Sequence, residues 1–275
     1  MRWISVFCAL AVNLAFGLEL DEVPPDLEVP EVEEVAPSAE KRVKEFLPGN
    51  SGTGVYHLLY LPTDWEVGKE YPVIFEYPGN QYRTSPGTME GCELGYGVSG
   101  GKGVIWVCLP FVNPEAKAHS RKWWGDADAT ADYAVQAVEH VCAEYGGRRD
   151  ALVLAGFSRG AIACNYIGLR NDDIAGLWAG FFCHSHYDGV KKWQHSDSDR
   201  DSARARLARL GDRPQLISHE GSVDATREFL ESTKPNGNFT FLPLPFPEHT
   251  ARWMLRDIPE REIVRDWFRD VTERE

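Results

Sequence analysis

Positive charge is scarce in this sequence. Lys and Arg number 29 against 42 Asp and Glu, a formal net charge of -13. A surface of that sign repels phosphate backbones, which argues against nucleic acid as a partner. The six cysteines contain no C-x-x-C spacing, so the common zinc-knot and dithiol motifs are excluded and no metal site is expected. No internal repeat of solenoid length is visible, and no paired carboxylates suggest glycoside hydrolysis. Long hydrophobic runs are missing too, except at the N-terminus. There MRWISVFCALAVNLAFG has one early cation, Arg2, then an uncharged apolar run with Ala15 and Gly17 near its end. This is the pattern of a secretory signal over residues 1–17, and it is short for a membrane span of about 20 residues. The expectation is a secreted or periplasmic protein with no membrane span after cleavage. Removing Cys8 leaves Cys92, Cys108, Cys142, Cys164 and Cys183. That number is odd, so at least one is unpaired or bonds another molecule.

Residues 18–40 read LELDEVPPDLEVPEVEEVAPSAE. Recurrent prolines and nine acids without a Lys or Arg predict an extended, solvated linker. It precedes one domain over 41–275. There, short apolar runs alternate with helical patterns. The strand candidates are 55–61, 73–77, 104–109, 151–155, 177–182, 215–218 and 239–244. Ala127–Tyr145 has apolar residues at helical spacing, and 202–210 also reads as helix. Asp257 is the expected cap of a last helix with Pro259 in its first turn and Ile263, Trp267 and Val271 on one face. This alternation predicts an α/β fold, with a mostly parallel central sheet flanked by helices on both faces. Loops at the carboxyl ends of such strands carry the site.

One stretch carries chemistry. In ALVLAGFSRGAIACNYIGL, a strand runs into Gly156-Phe157-Ser158-Arg159-Gly160 and a helix follows. A sharp strand-to-helix turn of this kind lifts the serine hydroxyl clear of the backbone, and flanking glycines leave it room. The helix start turns N–H groups and positive dipole on the same spot. Serine needs a base to take its proton. Among eight histidines, His249 lies in FPEHT, after the last expected strand and before the closing helix. The orienting acid is expected after the preceding strand, in QLISHEGSVDATREFL. Asp224 is the first candidate and Glu220 the alternative. The order Ser158, acid, His249 matches that of one known triad arrangement. Backbone donors for an oxyanion are expected from Arg159 and, in Pro78-Gly79-Asn80, from Asn80.

These residues resemble the α/β-hydrolase superfamily over residues 53–272. The flanks GFSRGAIA and the order of the later residues carry the likeness, which is strongest to small secreted esterases of the acetyl-xylan or feruloyl type. The resemblance implies hydrolysis of small-molecule or polysaccharide-linked carboxylic esters through an acyl-enzyme, without a cofactor. In two places the chain departs from the pattern. The usual His-Gly before the oxyanion loop is Pro78-Gly79. No long insertion follows the 177–182 strand, so no large lid is expected. Trp123, Trp124, His184 and His186 are candidate substrate-binding residues. The motif His184-Ser185-His186-Tyr187-Asp188 reads as pocket wall rather than as metal ligands, and Asp126, Asp128 and Asp132 as helix-start acids. A serine peptidase with the same triad and a catalytically silent cell-surface binding protein are the alternatives.

Overall fold

A computed structural model describes residues 19–82, 85–115 and 117–273. The expected signal over 1–17 lies outside them. The elements run β1 (Val32–Glu33), β2 (Arg42–Glu45), β3 (His57–Tyr60), β4 (Tyr71–Tyr77), α1 (Leu94–Ser99), β5 (Ile105–Cys108), α2 (Ala127–Tyr145), β6 (Gly147–Phe157) and α3 (Arg159–Tyr166). Then follow α4 (Asp172–Ala175), β7 (Gly180–His184), α5 (Arg200–Leu207), β8 (Gln215–Glu220), α6 (Asp224–Thr233), β9 (Phe239–Leu244) and α7 (Pro259–Thr272). The strands form one nine-stranded sheet in the order β1-β2-β3-β5-β4-β6-β7-β8-β9. β3 is antiparallel to β2 and to β5, and the remaining pairs are parallel.

The two-residue period of a strand explains the layers. Val73, Phe75, Leu152 and Leu154 pack on one face among residues of α2 and α3. Ile74, Val153 and Ala155 pack on the other, with residues of α1 and α7. Both faces are therefore covered, and the strands read as unbroken apolar runs. α2 has the bounds its periodicity predicts. Asp126 caps it by accepting from Asp128 N and Ala129 N, and Gly146 ends it at φ +77°.

Two expectations fail. α7 has Ile258 at its cap, and no side chain closes it. Its buried face is Val264, Phe268 and Val271, while Ile263 is exposed. Asp257 instead meets Arg261 at 3.3 Å. The second failure is larger: within 18–40, the part from residue 19 onward is not a solvated linker. Leu20 is buried, and Val32–Glu33 pair with Arg42–Val43. Asp26 N and Leu27 N donate to Leu255 O. Arg256 donates to Leu20 O and Val23 O, and Arg261 grips Asp26 with two bonds of 2.6 and 2.8 Å. Most of the segment's acids do stay exposed; what the local sequence does not show is the docking, because the partners Leu255, Arg256 and Arg261 lie more than 200 positions away. No helix among the described residues is long and apolar enough to cross a membrane. The five cysteines among the described residues have free thiols.

Candidate active site

β6 ends at Phe157 and α3 begins at Arg159, so Ser158 alone makes the turn, at φ 55° and ψ -113°. A non-glycine residue at such an angle is held by its surroundings. Here Ser158 N donates to His184 O on the neighbouring strand at 2.9 Å. The two glycines are needed for space. A Cβ at Gly156 would lie 2.2 Å from the Gly160 backbone, and one at Gly160 would lie 2.0 Å from Tyr77 O.

His249 comes from the loop after β9, and its Nε2 lies 3.1 Å from Ser158 Oγ. Its Nδ1 lies 2.5 Å from Glu220 Oε1. Glu220 ends β8, where register with β9 sets it beside Leu244 and the start of the histidine loop. Asp224, the first candidate for this position, is not there. Gly221 turns the chain away at φ +84°, and Asp224 becomes the exposed first residue of α6. Burial pushes the Glu220 carboxyl up, but hydrogen bonds from His249 and Ser185 outweigh it and hold the group at about 2. Ser185 was missed from the sequence. It is fully buried at φ +85°. Its hydroxyl donates to Glu220 at 2.6 Å and stands 2.7 Å from His249 Nδ1.

Arg159 also reaches further than expected. Its N–H opens α3, among the donors that a helix start leaves free. Its side chain is buried over the Phe111 ring at 4.0 Å. It donates to Trp123 O at 2.7 Å, Gly79 O at 2.8 Å and Gly87 O at 3.2 Å. Burial draws its pKa down to about 9. Gly79 C=O and Asn80 N–H belong to one planar trans peptide and point opposite ways. By holding that carbonyl, the guanidinium fixes the direction of the Asn80 N–H. Asn80 Oδ1 in turn accepts from Trp123 N at 2.9 Å.

Above Ser158 opens a cavity of about 770 Å³, walled by Trp123, Trp193, Phe157, Ile162, His186 and Tyr82 among others. Two of the four expected binding residues, Trp123 and His186, line it. Trp124 does not: it stacks on Tyr166 at 4.6 Å in the core. Its neighbour Trp123 takes φ 50°, which sends the adjacent indoles in different directions. His184 is also buried. It stacks on Phe157, and its ring nitrogens contact Ser218 Oγ and Thr250 O. Ser185, at φ +85° just past the end of β7, breaks the two-residue alternation that would put His184 and His186 on one face, and so separates them. Burial lowers both histidines to about 4, so His186 is neutral beside His249. Trp193, in the 185–199 connection, had no signal beyond its place after His-x-His.

Asp188 pairs with Arg206 through bonds of 2.8 and 3.0 Å, with side chains 2% and 8% exposed. Removing one partner strands a buried charge. Asp188→Ala is expected to lower stability by about 3–5 kcal/mol, read as a fall in the urea midpoint.

No protein-family model matches the chain, and no curated protein matches its sequence. Solved structures do. The chain has the α/β-hydrolase fold, with structural neighbours among esterases. Brefeldin A esterase, a bacterial homologue of human hormone-sensitive lipase, is 14% identical at a TM-score of 0.57, with 89% of this chain and 80% of that chain covered. The feruloyl esterase module from Clostridium thermocellum, complexed with sinapinate, is 16% identical at 0.54, with 91% and 94% covered. The isopeptidase AtxE2 is 14% identical at 0.52, with 85% and 40% covered. The chain spans 62% of the length of a similar thermostable esterase.

Proposed function

We propose that the chain is a serine hydrolase of carboxylic esters, working through an acyl-enzyme. The observation that carries this reading is the unbroken hydrogen-bonded line from Ser158 Oγ to His249 to Glu220, at 3.1 and 2.5 Å. His249 Nε2 takes the serine proton as Oγ attacks the ester carbonyl. Glu220 accepts from Nδ1–H, keeping the other nitrogen free as base and stabilising the imidazolium. The N–H groups of Arg159 and Asn80 receive the negative oxygen. His249 then protonates the departing alkoxide, and water repeats the sequence to release the acid. These steps move only protons and an acyl group, which the named groups handle without a cofactor.

The indoles of Trp123 and Trp193 in the cavity wall favour a flat aromatic acyl group, such as the sinapinate bound in the neighbouring feruloyl esterase structure. With the signal-like pattern of residues 1–17, this supports an exported enzyme acting on small-molecule or polysaccharide-linked aromatic esters. The test is a parallel assay on feruloyl, acetyl and short acyl esters and on peptide amides. Feruloyl esters are expected to give the highest kcat/KM. Faster cleavage of amides than of every ester would transfer the reading to a peptidase.

A further inference from the structure

β9 ends at Leu244 and α7 begins at Pro259, and His249 lies on the connection between them. Within residues 245–258 the helical structure is one short 3-10 turn, Arg252–Leu255. His184 Nε2 contacts Thr250 O at 2.9 Å and ties the connection to the sheet. Further ties come from the N-terminal segment. We propose that residues 20–27 form a strap that positions His249, with Leu20 and Asp26 as its anchoring residues. The proposal rests on the serine-hydrolase reading above, in which His249 is the base.

The strap grips the connection on both sides of His249. On the near side, Leu20 N lies 3.4 Å from Oε1 of Glu248, the residue before the histidine. Glu248 Oε2 is buried without a hydrogen-bond partner among the described residues, so this contact meets a carboxylate that has few others. The Leu20 side chain is buried in the same apolar cluster as Phe246, Ala251 and Trp253. On the far side, Leu255 O accepts from Asp26 N at 3.1 Å and from Leu27 N at 3.3 Å. The Arg256 guanidinium donates to Leu20 O, to Val23 O and, at 2.8 Å, to Arg252 O. One side chain thus joins the strap to the 3-10 turn.

The other end of the strap is fixed to the body of the fold. Arg261, which grips Asp26, belongs to α7, and its side chain is 3% exposed. α7 packs on the sheet, so the ion pair carries the rigidity of the sheet to the strap. The reaction is sensitive to that rigidity. His249 Nε2 stands 3.1 Å from Ser158 Oγ, and a misplacement of about 1 Å can cost about 10²-fold in rate. Leu20 also walls a smaller cavity of about 310 Å³ beside His249, whereas Asp26 lines neither that cavity nor the larger one. Asp26 therefore acts on the chemistry through position, not through substrate contact.

The experiment measures p-nitrophenyl acetate hydrolysis and the rate of fluorophosphonate labelling in the full chain. Asp26→Asn keeps the shape of the side chain and weakens its grip on Arg261. It is expected to lower kcat and the labelling rate about five-fold, with KM changed less than about two-fold. Leu20→Ala is expected to lower both rates about ten-fold. Glu33→Gln is the control: it loosens a pair with Lys41 at 2.9 Å, on β1 at the opposite edge of the sheet from β9, and should leave kcat unchanged. A purely structural role would lower the urea midpoint and leave the kcat of the folded protein as it was. Should Leu20→Ala fail to fold, Asp26→Asn decides, because its side chain is 42% exposed. An unchanged kcat in Asp26→Asn, or an equal fall in Glu33→Gln, overturns the inference and leaves the hydrolase reading intact. An unaltered protein that neither labels nor cleaves takes down both.

Discussion

Ser158→Ala is expected to lose labelling by a fluorophosphonate probe that marks the unaltered protein, and to lose ester hydrolysis by about 10³-fold or more. His249→Ala should lose as much, because without Nε2 the hydroxyl has no group to take its proton. The two losses are not additive: once one member is gone, the other has nothing to act on, so the double variant should resemble either single one. The residual rate is expected to come from the oxyanion donors alone. A folded Ser158→Ala protein that still carries the probe would sink the assignment. Circular dichroism and the urea midpoint separate lost chemistry from lost structure.

The second large effect discriminates between two acids. Glu220→Gln is expected to lower kcat by about 10²- to 10⁴-fold, because an amide can present N–H to Nδ1 and reverse the imidazole tautomer. Asp224→Asn should change kcat less than about two-fold, since its helix-start role is worth only about 0.3–1 kcal/mol of stability. Equal losses in the two variants would contradict the geometry. Glu220 lies at about 2, so it stays ionised well below neutrality and does not set the acid limb of the rate profile. The sign for stability follows. A carboxyl depressed in the folded state contributes fully above the ordinary carboxylate range, and that contribution is lost as pH falls toward 2. Ser185 refines the same test. Its φ of +85° suits glycine, so Ser185→Gly should keep or raise the urea midpoint. It should still lower kcat about ten-fold, by removing a hydroxyl that steadies both Glu220 and His249.

The residues that sequence reading located well are those whose geometry is set by near neighbours. The turn at Ser158 depends on Gly156 and Gly160, two residues to either side. The bounds of α2 depend on its own period, on Asp126 and on Gly146. β9 matches its expected bounds because an apolar run between polar turns is a local pattern. His249 was legible because chain order alone places a loop at the same sheet edge as the serine.

Other features had no local signature. Glu220 and Asp224 differ by four positions, and which of them meets His249 is set by where β8 stops and Gly221 turns. Trp123 and Trp124 are adjacent, yet one walls the cavity and the other fills the core, since backbone angles and packing partners decide direction. Ser185 touches His249 across 64 positions. The segment after residue 18 reads as a solvated tail, yet Arg256 and Arg261, from the opposite end of the chain, hold its Leu20 and Val23 carbonyls and Asp26. The sequence by itself determined the alternating layers and the serine bend, because hydrophobic period and glycine sterics act within a few residues. Which acid meets His249, which side chains wall the cavity and how the N-terminal segment docks come from the folded chain, because each depends on strand register and on partners remote in the sequence.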